Sequence, residues 1–116
     1  NIKPGEFDEW SGSSWVVNTV LKKESQRSTL KSKREQALNE INHTIEDGSI
    51  YQVRPSDLAN FSMAIQAGQP EEWVLDDNTV RLTLVLEMQE CLTSGIEQGK
   101  IIWRDYTNKL KELNKV

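Results

Sequence analysis

One cysteine, one histidine and three prolines in 116 residues leave little material for several kinds of chemistry. Cys91 alone cannot close an internal disulfide, so nothing asks for an oxidising compartment, and it reads as a small buried hydrophobe. His43 has no second His or Cys with which to share a metal ion and reads as a solvent-facing or packing residue. No glycine-rich phosphate loop and no nucleophile motif occurs. The neighbouring carboxylates Glu71-Glu72 and Asp76-Asp77 fall at loops, where solvation and turn geometry account for them. No catalytic residue, cofactor or metal is therefore assigned, and the chain is not expected to be an enzyme. No apolar run approaches the ~20 residues that span a bilayer, and no signal-peptide pattern is present. Basic charge is short as well: 14 Lys+Arg face 18 Asp+Glu. Phosphate binding needs a basic face, so nucleic acid is not expected as the main partner. The chain opens on Asn1 rather than Met, as a fragment or processed product would.

What is present suits one domain with a modest core. The pattern predicts an α+β fold: two short β-hairpins or strands, a short central helix and two long antiparallel helices, organised around residues 48–86. Residues 1–18 are expected to hold an N-terminal hairpin segment and residues 19–116 the helical α+β domain. The first hairpin is placed at residues 7–17, with Gly12-Ser13 as a two-residue turn. That register sets Trp10 opposite Trp15 on one face, where the pair either holds the ribbon together or offers an apolar patch to a partner.

From 19 to 46 few β-branched residues and many Lys, Glu, Gln and Ser predict a helix, with an apolar stripe at Leu30, Ala37, Leu38, Ile41 and Ile45. Residues 22–27 carry no apolar side chain and should be solvated or touch something outside the chain. Asp47-Gly48 is read as the helix stop. Residues 50–53 alternate as a strand. Pro55 at the first helical position, Asp57 in the first turn and the stripe Leu58, Phe61, Ile65 predict a short helix that Gly68 ends. A second hairpin pairs 72–75 with 79–82; a two-residue Asp77-Asn78 loop is chosen over a three-residue one that would set Trp73 against Arg81. Thr83 is the expected N-cap of a helix to about Asn114. Gly95 and Gly99 lie on one of its faces, and either admit the earlier helix closely or break this one. At 1.5 Å per residue such a helix reaches roughly 45 Å, well beyond a compact core. Trp103, Tyr106 and Leu110 on the projecting part either fill the seam between the helices or await a partner or a second copy.

From about Trp10 onward the chain resembles a domain of unknown function at the C-terminal end of tailed-phage tail-fibre and tail-fibre assembly proteins. The resemblance rests on Trp10 with Gly12 and Trp15-Val16, a Lys/Glu-rich helix, and Val53-Arg54-Pro55-Ser56-Asp57-Leu58-Ala59-Asn60. Ala64-Ile65-Gln66-Ala67-Gly68, Trp73, Asp77-Asn78 and the long closing helix complete it. It implies a phage protein that assists assembly of a tail fibre, a non-enzymatic chaperone, or else a structural part of the tail. The implied partner is the tail-fibre protein, met in the host cytoplasm during assembly or in the virion tail. The partner-binding residues expected are Trp10, Trp15, Trp103, Tyr106 and Leu110. The resemblance carries no catalytic residue.

Overall fold

The computed structural model describes residues 12–115, with side chains described from Val20 onward. Three helices and two antiparallel strand pairs make the α+β fold that the sequence pattern predicts. They run α1 (Gly12–Leu38), β1 (Asn42–Thr44), β2 (Ile50–Gln52), α2 (Pro55–Ala67), β3 (Glu71–Val74), β4 (Val80–Thr83) and α3 (Val85–Asn114). Among the described residues β1 pairs only with β2, and β3 only with β4.

After α1 the chain builds one supersecondary unit twice, thirty residues apart. Each unit is a hairpin followed by a helix. In the first, the Ile45 N–H donates to the Ser49 carbonyl at 3.0 Å, and the Gly48 N–H to the Ile45 carbonyl at 2.9 Å. In the second, the Leu75 N–H donates to Thr79 at 2.8 Å, and the Asn78 N–H to Leu75 at 2.9 Å. Both are three-residue loops that end on a left-handed residue, Gly48 at φ 90° and Asn78 at φ 68°. An aspartate braces each: the Asp47 carboxylate accepts from the Ser49 N–H, and the Asp77 carboxylate from the Thr79 N–H. Those bonds hold both acids below the usual carboxylate range, the Ser49 backbone acting first on Asp47 and the Thr79 hydroxyl first on Asp77. Each following helix opens alike. The Asp57 carboxylate accepts from the Arg54 N–H, and the Glu87 carboxylate from the Leu84 N–H. Gly68, left-handed at φ 73°, closes α2 as expected.

The two units lock by exchanging corresponding side chains. His43 on β1 reaches Glu90 on α3, and its counterpart Trp73 on β3 stacks on Phe61 of α2 with centroids 4.2 Å apart. Between them lies the core of Ile41, Ile45, Tyr51, Val53, Phe61, Leu75, Met88 and Cys91. Burial pushes the Cys91 thiol up to about 12, with Glu90 and Glu87 adding to it. The one wholly buried polar side chain among the described residues, Thr83, shares a 2.7 Å hydrogen bond with the Tyr51 hydroxyl. Arg81 donates to that hydroxyl at 2.9 Å, to both oxygens of Glu87 at 2.7 and 2.9 Å, and to Asp47 at 3.0 Å. The Glu87 bonds, then that of Tyr51, raise the guanidinium above its ordinary value, and Arg81 in turn lowers Glu87. One arginine thus ties the first loop, the core tyrosine and the start of α3 together.

Several expectations give way. The hairpin at 7–17 is not formed: Gly12 onward is helix, and residues 7–11 lie outside the described residues. A two-stranded ribbon without a third strand is marginal, whereas a helix already running through 19–38 extends backward cheaply. α1 stops at Leu38, eight residues before the expected Glu46, and His43 stands on a strand rather than a helix. Ile41 and Ile45 misled because residues four apart share a face in a strand as well as in a helix. Asp47-Gly48 is a hairpin loop, not a helix cap. The second hairpin takes the rejected register, with Trp73 opposite Arg81 and Val74 opposite Val80. Leu84, not Thr83, is the N-cap of α3, because Thr83 is committed to Tyr51.

α3 does not break at its glycines. The close approach at Gly95 is made by the first unit, not by α1: a Cβ there would collide with the Leu58 side chain and lie 2.9 Å from the Val53 carbonyl oxygen. At Gly99 a Cβ would meet only Leu38 of α1, at an ordinary 3.9 Å.

Candidate functional site

The distal half of α3 leaves the core and pairs antiparallel with α1 as a two-helix rod. Leu38 lies against Gly99, Arg34 against Trp103 and Tyr106, and Arg27 donates to the Asn114 side chain at 3.1 and 3.3 Å. The molecule is correspondingly long, 66 × 26 × 22 Å, with a radius of gyration of 21.2 Å. A compact domain of this length would have about 13 Å. The half-covered positions of α1 fall at Lys23, Arg27, Leu30, Arg34 and Ala37, steps of three and four that keep one face on α3. Three of those five are cations, so the seam is only partly apolar.

The sequence-predicted site residues separate. Trp103, Tyr106 and Leu110 come together on the rod. Trp15 lies on the backbone of α1 with its side chain outside the described set, and Trp10 lies outside the described residues. The two indoles are not brought into a cross-strand pair, because Trp15 is helical. Trp103 and Tyr106 meet edge to face with centroids 5.7 Å apart. The Arg34 guanidinium covers both rings, 4.3 Å and 4.6 Å from their centroids. A cation over two aromatic faces is held at about 0.5–2 kcal/mol per contact according to how dry it is. Tyr106 and Leu110 are half-buried in the seam, while Trp103 remains 46 % exposed. Ile96, seven residues earlier on the same flank, is also exposed.

Across the seam from Trp103 runs an open furrow of about 280 Å³, lined by Leu30, Arg34, Ala37, Ile101, Ile102 and Tyr106 among others. It continues toward the rod tip past Thr29 and Leu113, with Leu30 and Lys109 common to both stretches. Its floor is apolar and its rim carries Lys33 and Lys109, the latter 3.0 Å from Asp105.

Charge is sorted along the long axis. Rod residues 20–38 and 98–115 hold eleven Lys or Arg against four Asp or Glu; residues 39–97 hold eleven Asp or Glu against two arginines. The acidic end has an apolar face of its own. Val74, Val80 and Leu82 share the outer face of the β3–β4 hairpin and continue into Leu84 and Leu86, all exposed. Arg81 and Trp73 occupy the other face.

Sequence reasoning missed Ile101, Arg34 and this hairpin face. A segment-by-segment charge count would have found the polarity. The face follows from the hairpin register, which the two-residue loop expected from the sequence places one residue out. Among the described residues no group of His, Cys, Asp and Glu could hold a metal ion, and no helix is long and apolar enough to cross a membrane. Comparison of the chain with protein-family models, curated proteins and solved structures finds no significant match.

Proposed function

We propose that this chain is a tail-fibre assembly protein of a tailed phage, a non-enzymatic chaperone that binds a segment of the fibre protein. The family reading rests on the resemblance described above. The observation that supports a binding role is the rod, whose exposed Trp103, with Ile96 just before the rod on the same flank of α3, lies outside anything the small core covers. Exposed aromatics in a preorganised setting supply much of the affinity in protein interfaces. Here Arg34 fixes the Trp103 ring in advance, so little rotamer freedom is lost on binding. The chaperone would shield an apolar segment of the fibre until its chains assemble, in the host cytoplasm. The second reading is a structural component of the tail or fibre.

Co-expression with the neighbouring fibre gene separates the two. A chaperone is required for soluble assembled fibre and is absent from purified virions. A stoichiometric signal for the chain in virions would overturn the chaperone reading in favour of the structural one. Trp103→Ala should lower the yield of soluble fibre at least several-fold while leaving the far-ultraviolet circular dichroism of the chain unchanged.

A further inference from the structure

We infer that this chain associates with a second copy of itself, the acidic β3–β4 face of one molecule seating on the basic rod furrow of another. This goes beyond the proposed function and does not depend on it, since the contact needs no fibre. Two surfaces of one molecule carry the inference because they match in both respects that decide a docking contact. Each has an apolar centre. On the hairpin it is Val74, Val80 and Leu82, with Leu82 59 % exposed, and on the rod it is Leu30, Ala37 and Ile101, with Ile101 61 % exposed. Each is bordered mainly by charge of one sign. Glu71, Glu72 and Asp77 are exposed around the hairpin face. The furrow offers Lys33, Arg34 and Lys109 against one acid, Asp105, which lies 3.0 Å from Lys109.

The surroundings sharpen the match. From residue 55 to residue 99 the only basic residue is Arg81, and its guanidinium is taken up by Glu87, Asp47 and Tyr51 on the opposite face of the hairpin. Nothing cationic on the hairpin therefore opposes a basic partner. Rod on rod is disfavoured, since eleven cations against four anions on each would meet their like. Head on head fails for the opposite reason. Only head on rod brings unlike charge together around apolar surface, and exposed apolar patches of this kind mark interaction sites. Made reciprocally, the contact is isologous and closes a pair; made once per molecule, it is heterologous and extends a chain.

The test is sedimentation velocity of the purified chain from about 5 to 500 μM, in low and in high salt. The expected mass rises with concentration above 13.3 kDa, and high salt weakens the rise several-fold because the steering charges are exposed. Leu82→Lys spoils the hairpin face and the double variant Lys33→Glu/Ile101→Glu spoils the furrow. All three positions are exposed, and circular dichroism checks that both proteins fold. Each variant alone should sediment as a monomer. An equimolar mixture should regain a dimer, because the intact face of one fits the intact furrow of the other. A wild-type chain that stays monomeric throughout overturns the inference. So does association that survives either variant, or a mixture that fails to dimerise.

Discussion

At the scale of single residues, most of the specificity of this small core sits in one polar cluster. Tyr51 and Thr83 are both fully buried, and each satisfies the other at the junction of the two hairpin–helix units. Removing one partner of a buried hydrogen bond costs more than the bond is worth, because the remaining group is left desolvated. Tyr51→Phe should therefore lose about 1–2 kcal/mol, as read from urea unfolding, the Thr83 contact to the Arg81 carbonyl limiting the loss. Glu87 brings pH into the same cluster. Its carboxyl is held below the ordinary 4.5, first by Arg81 and then by the Leu84 N–H. The stability it supplies is thus complete above that value and is lost as pH falls through the lowered one. Glu87→Gln should be about 1–2 kcal/mol less stable at neutral pH, and thermal melts of variant and parent should converge as pH falls through the lowered value. Cys91 shows the opposite shift. With its thiol buried and pushed up to about 12, thiol-reactive reagents should label it in the native protein only as fast as the core opens.

At the scale of elements, the two glycines of α3 make opposite demands. Gly95→Ala gains helix propensity but forces a methyl against Leu58 and Val53, for an expected net loss of about 1–3 kcal/mol. Gly99→Ala meets only Leu38 at ordinary contact distance and should stabilise by up to about 1 kcal/mol. Denaturant midpoints of the two variants should move in opposite directions. The same glycines show what was legible beforehand. α2 was readable because Pro55, Asp57 and Gly68 are local signals that act through the backbone beside them. α3 was readable from its long apolar stripe, and the α+β class and antiparallel long helices followed. β1 was not, because Ile41 and Ile45 fit either period and only pairing with β2 decides between them. The second hairpin failed on register: Asn78 adopts the left-handed conformation that closes a three-residue loop, and residue type alone does not separate that from a two-residue turn. The repeat was present in the sequence as Ile-Glu-Asp-Gly-Ser and Leu-Asp-Asp-Asn-Thr, thirty residues apart, each with an acid eight positions beyond its final hydroxyl residue. Of the candidate site, the aromatic cluster on α3 could be named in advance, but Arg34 could not. Its role depends on the helix-to-helix register, which no local pattern encodes.

At the scale of the whole molecule, shape and charge follow from one decision, that α3 serves both the core and the rod. Small-angle scattering of the dilute monomer in high salt should give a radius of gyration near 21 Å, not the roughly 13 Å of a globule this size. The contact of Arg27 with Asn114 adds a geometric corollary. α1 arrives, and α3 departs, at the pole opposite the hairpins. A fluorophore fixed beside Arg27 or Asn114 would mark that pole, and the acidic head is held out from it like a lamp on a stalk.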